Sequence, residues 1–71
     1  MDEDIKKLRF LLEHWVEHNE DHKKNFVKWV KIAKESGVDR AAESLAKAVD
    51  AIDESSKYLQ EALKDLENDS A

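Results

Sequence analysis

Apolar residues recur along this chain in alternating steps of three and four, and a single interruption divides the rhythm into two series. The first series is Ile5, Leu8, Leu12, Trp15, Asn19, His22, Phe26, Trp29 and Ala33. The second series is Val38, Ala42, Leu45, Val49, Ile52, Ser56, Leu59, Leu63 and Leu66. An average repeat of 3.5 residues, sustained this long, predicts two amphipathic helices that pack as in a coiled coil.

The interruption contains Gly37, the only glycine of the chain, and the chain has no proline. Glycine suits the left-handed residue that ends a helix, and Asp39 suits the N-cap of a second helix. The predicted bounds are one domain over 1–71, helix 1 at about 3–35, a turn at 36–38 and helix 2 at about 39–67. A connection this short forces the two helices antiparallel. The predicted fold class is therefore all-α, a two-helix antiparallel coiled-coil-like hairpin.

Antiparallel packing tests the register, because it pairs positions whose numbers sum to about 74 or 75. In that register Asn19, a polar member of the first series, faces Ser56, the polar member of the second. Lys23 also falls near Asp53. Two helices alone leave a wide apolar stripe half covered. The apolar residues that lie beyond the intramolecular seam are Phe10, Val16, Val27 and Val30. We therefore expect self-association, most simply a homodimer in which two hairpins form a four-helix bundle; a different protein partner is the other option.

Composition supports this interpretation and excludes several classes of partner. A chain of 71 residues has little core of its own, which favours oligomerisation. Residues 37–71 carry nine acidic and four basic side chains, which argues against nucleic acid. No apolar run approaches the ~18 residues of a membrane span. The acidic start lacks the features of a signal peptide, so we expect a cytoplasmic protein that does not bind membranes.

Polar residues at the middle of both helices have a structural explanation. Asn19, His22, Ser55 and Ser56 are predicted to form a polar core layer, with His18 at its edge. Such a layer costs stability but fixes the register and the number of partners. The aromatic members of the first series, Trp15, Phe26 and Trp29, are interpreted as core rather than as a stacking platform for a ligand.

The histidines also allow a chemical explanation, which stays open beside the structural one. His14, His18 and His22 stand four residues apart, and a pair at that spacing on a helix can bind Zn²⁺, Ni²⁺ or Co²⁺. The candidate oxygen ligands are Glu17 and Asp21 on an adjacent stripe of helix 1 and Asp53 on helix 2. One histidine pair supplies only two ligands, so a closed tetrahedral site would need a second chain. The structural explanation requires no cofactor.

The sequence contains no complete catalytic motif. The five-residue segment from His14 to His18 matches the H-x-x-E-H pattern of inverted zinc proteases, with Glu17 as its glutamate. That chemistry needs a distant third ligand and a cleft, which a two-helix chain does not offer. No nucleophile with a base and no phosphate-binding loop is found. We predict a non-enzymatic helical interaction or assembly module; the alternative is a metal-binding accessory domain that uses the histidines.

The segment from Leu11 to His22, with the alanine- and glutamate-rich second helix, resembles a small uncharacterised prokaryotic family of helical hairpins. The shared pattern is L-x-H-W-x-x-H-N-x-x-H. The resemblance spans most of the chain and implies that the histidines belong to a family signature. It implies no activity, substrate or catalytic residue.

Overall fold

The computed structural model is a hairpin of two long helices joined by a short turn. It describes residues 2–70, with side chains over 3–68. Helix α1 spans Asp2–Glu35 and helix α2 spans Asp39–Ser70. The molecule measures 52 × 14 × 12 Å, and the ~1.5 Å rise per helical residue accounts for its length. The prediction of an all-α helical hairpin is confirmed. Neither described helix is long and apolar enough to cross a membrane.

Helix α1 ends in a Schellman turn. The N–H of Val38 donates to the carbonyl of Ala33 at 3.0 Å, and the N–H of Gly37 donates to the carbonyl of Lys34 at 3.1 Å. Gly37 has a φ of +79°, a left-handed conformation that costs glycine little because it lacks a Cβ. The turn thus accounts for the position of the only glycine and turns the chain back along α1.

The capping residue of α2 differs from the prediction by one position. The N–H of Ala42 donates to the carbonyl of Val38 at 3.0 Å, which makes Val38 the N-cap. The prediction for Asp39 is therefore wrong: it lies in the first turn, where its charge still interacts favourably with the helix dipole. The helix also continues to Ser70, past the expected end near residue 67, and residues 67–70 contain no glycine or proline that would end it earlier.

Very little surface is fully buried between the helices. Among residues 3–68, only Leu12, Ala42 and Ser56 are buried. Trp15 and Trp29 are 41% and 54% exposed, so the prediction that they lie in a core is wrong for a single hairpin. Two helices touch along one line, and rings this large extend past that line into solvent. The hairpin therefore leaves much of its apolar surface in water.

Candidate functional site

The two long sides of the hairpin differ in charge. One side has no charged residue along its central rows over residues 11–32 of α1 and 41–62 of α2, and Asp4 and Asp65 continue these rows toward the open end of the hairpin. A groove of about 400 Å³ on this side is lined by Trp15, His18, Asn19, His22, Ser55 and Leu59. Residues seven apart on packed helices share a side. The central rows are Leu11, Trp15, His18, His22, Trp29 and Ile32 on α1 and Ala41, Ala48, Ala51, Ser55, Tyr58 and Ala62 on α2. We call these residues the uncharged face.

The opposite side carries an interhelical ion pair. Lys23 Nζ lies 2.7 Å from a carboxylate oxygen of Asp53, as the register predicted. The hydrogen bond to the Asp53 carboxylate, and then its negative charge, raise the pKa of Lys23. Because both side chains are partly exposed, the pair contributes little stability.

A polar contact joins the two helices near their midpoints. Asn19 Nδ2 donates to Ser55 Oγ and to Ser56 Oγ, both at 3.3 Å. These bonds confirm the predicted register. Ser56 is buried and Asn19 is half-buried, whereas Ser55 and His22 are exposed. On a single hairpin His22 therefore does not occupy the expected core position, because it lies at the edge of an open groove.

The three histidines belong to a continuous stripe of aromatic rings along α1. Phe10, His14, His18, His22 and Phe26 form successive ring contacts, with centroid separations of 6.4, 6.1, 4.4 and 5.8 Å. Residues four apart drift slowly around a helix, so the stripe runs diagonally. It begins at Phe10, which is 66% exposed, and ends at the half-buried Phe26. The stripe therefore crosses the uncharged face only in its middle part.

The histidines are not equivalent. His18 and His22 line the groove of the uncharged face, and their rings stack at 4.4 Å with an interplanar angle of 22°. His14 lies in a separate depression with Phe10, Glu13 and Glu17, and its ring meets that of His18 edge-on. The structure thus singles out one of the two i, i+4 pairs, a distinction that their identical spacing does not make.

Metal ligands within one chain are too few for a closed site. Over the part of the chain that the structure describes, no group of three histidine, aspartate or glutamate side chains is placed to hold one ion. Asp53, the candidate oxygen ligand from α2, is paired with Lys23 instead. Metal binding by His14, His18 and His22 stays a prediction, and the geometry of one chain offers His18 and His22 as a two-ligand half-site.

We expect Asn19→Ala to lower the free energy of unfolding by about 1–3 kcal/mol, because it leaves the buried Ser56 hydroxyl without its partner on α1. Combining Asn19→Leu with Ser56→Ala should recover most of that loss, since both polar groups are then removed together. Urea denaturation followed by circular dichroism measures both effects. A double variant less stable than Asn19→Ala would contradict this account of the layer.

Comparison with known proteins places the chain in a family but assigns no chemistry. A family model described as a domain of unknown function (DUF8180) matches residues 8–66. No curated protein and no solved structure matches the chain. The match agrees with the expectation of an uncharacterised family, whereas the histidine signature and the prokaryotic origin stay predictions.

Proposed function

The chain belongs to the family described as a domain of unknown function (DUF8180), and we propose that it is a small non-enzymatic helical assembly module. The proposal rests on the properties of the chain's surface. Its partner is a second copy of the same chain, and two hairpins join through their uncharged faces to form a four-helix bundle. The observation that carries this proposal is the exposure of Trp15, Trp29 and Tyr58, at 41%, 54% and 57%, on the uncharged face.

The accessible area supports the same conclusion. The hairpin exposes 5789 Å². A compact monomer of its 8.2 kDa mass is expected to expose only ~4500 Å². The excess is roughly 1300 Å², whereas a stable protein–protein interface removes ~800 Å² from each partner. One interface of ordinary size would therefore cover most of this excess area.

The distribution of charge favours a second copy as the occupant. Two chains of net charge −5 repel each other unless their charged residues stay away from the contact. The uncharged face meets this condition, and it also offers complementary shapes. Large side chains such as Trp15 and Trp29 lie on α1, and the alanines lie on α2. Laying α1 of one copy over α2 of the other places large side chains against small ones.

A role in assembly rather than catalysis is supported by the form of the surface. The groove of the uncharged face is open along the hairpin, and catalytic sites usually lie in enclosed clefts with convergent polar groups. A cytoplasmic location belongs to the same proposal and rests on the sequence alone.

Sedimentation equilibrium of EDTA-treated protein at tens of micromolar tests the proposal. We expect a species of twice the 8.2 kDa chain mass, with an unfolding temperature that rises with protein concentration. A single species of 8.2 kDa throughout this range would rule out the homodimer.

A further inference from the structure

His18 and His22 form a half-site whose dimensions suit one metal ion. Their ring centroids are 4.4 Å apart and their planes nearly parallel. Two imidazole nitrogens bound tetrahedrally to Zn²⁺, each ~2.0–2.1 Å from the ion, lie ~3.3 Å from each other. The lone pairs of imidazole lie in the ring plane, so metal binding requires the two stacked rings to rotate until one nitrogen of each points at a shared ion. Both side chains are exposed, so they are accessible to an ion.

The half-site lies at the midpoint of the hairpin. His18 has 16 helical residues before it and 17 after it in α1. Ser55, which lines the same groove, has 16 before it and 15 after it in α2. The two-fold axis that lays α1 of one copy over α2 of the other runs parallel to the helices, so equivalent residues of the two copies stay at the same level along the bundle. The histidine pairs of two copies therefore meet in the middle of the interface.

We propose that two copies, joined through the uncharged face, create one four-imidazole site from His18 and His22 of each chain. This inference rests on the proposed dimer. The site takes a borderline divalent ion such as Zn²⁺ or Co²⁺, because neutral imidazole is a preferred ligand of these ions. None of the described residues that line the groove carries an ammonium group that would repel a cation.

The surroundings of the half-site suit a bound metal as well. Asn19 and Ser55 line the same groove and carry oxygen atoms that accept hydrogen bonds. A metal-binding histidine usually donates its second ring N–H to such an oxygen, which fixes the orientation of the ring. Once a second copy covers the groove, water is excluded and the four nitrogens surround one ion.

Titration of EDTA-stripped protein with Co²⁺ at pH 7.5, followed by visible absorption, tests the site. We expect the strong bands of four-coordinate Co²⁺, saturating at one ion per two chains. His18→Ala removes two of the four ligands at once, because the dimer is symmetric, and His22→Ala does the same. Each should weaken Co²⁺ binding by roughly 100-fold or more, beyond the typical loss on removing an outer-shell partner.

His14→Ala is the matched control, since it removes an exposed histidine of the same stripe that lies outside the groove. It should leave both the affinity and the stoichiometry unchanged. Loss of binding in His14→Ala equal to that in His18→Ala would overturn the assignment, and so would saturation at one ion per chain. Circular dichroism of each variant establishes that the helices are intact.

Sedimentation with EDTA and with Co²⁺ separates this proposal from the proposed dimer. A dimer in EDTA that gives no four-coordinate Co²⁺ spectrum overturns the metal site and leaves the assembly module standing. A monomer in both conditions overturns both proposals. A monomer in EDTA that becomes a dimer with Co²⁺ supports the metal site and overturns metal-free assembly.

Discussion

A lysine introduced on the uncharged face will dissociate the dimer, whereas a lysine introduced on the opposite side will not. Ala51→Lys is the informative change. Ala51 lies one helical turn before Ser55 and is exposed on the single hairpin. A lysine at this position therefore leaves the packing of α1 on α2 intact.

The expected effect on the dimer is large, because the two-fold symmetry places two ammonium groups at the interface. Removing an ion from water costs several kcal/mol when no opposite charge compensates it. A loss of ~3 kcal/mol raises the dissociation constant of the dimer by roughly 100-fold. Sedimentation velocity over a dilution series measures that constant for the wild type and the variant.

Gln60→Lys is the control, because it adds the same charge at an exposed position of α2. Gln60 lies seven residues after Asp53 and so shares the side that carries the ion pair. Its dissociation constant should match that of the wild type. If Gln60→Lys weakened the dimer and Ala51→Lys did not, the interface would lie on the other side of the seam, where Val27 and Val30 line a smaller apolar groove.

The fold could be predicted from the sequence because its determinants are local or pairwise. The heptad rhythm gives both helices, and Gly37 gives the turn through its left-handed conformation. The register follows from polar residues at seam positions, which lower the free energy when they face each other. Asn19 therefore meets Ser55 and Ser56, as their places in the two series predicted.

The state of the candidate site could not be predicted in the same way, because burial depends on what covers a face. The same heptad pattern is compatible with a single hairpin and with a hairpin in a bundle. The pattern therefore predicted Trp15 to be a core residue, whereas its side chain is 41% exposed in one chain. The spacing of the histidines in the sequence also does not determine how their rings are oriented. His14–His18 and His18–His22 are both four residues apart, yet only the second pair is stacked.

Trp15→Ala will destabilise the protein about as much as Leu12→Ala, although only Leu12 is buried in one chain. If a second copy covers Trp15, its truncation leaves a cavity and lowers the free energy of unfolding by about 3–5 kcal/mol, as for other buried tryptophans. Leu12→Ala should cost about 2–5 kcal/mol in any state of assembly. Urea denaturation at a concentration where the wild type is dimeric measures both losses.

Phe10→Ala calibrates this comparison, because Phe10 is aromatic, 66% exposed and away from the groove of the uncharged face. Substitutions at such surface positions usually change stability by no more than about 0.5 kcal/mol. On a lone hairpin the loss at Trp15 would lie nearer to that of Phe10, since much of its ring would already be in water. A Trp15→Ala loss that matches Leu12→Ala and far exceeds Phe10→Ala therefore requires a covering partner. A loss as small as that of Phe10→Ala would mean that water still meets Trp15 in the assembled state and that the interface lies elsewhere.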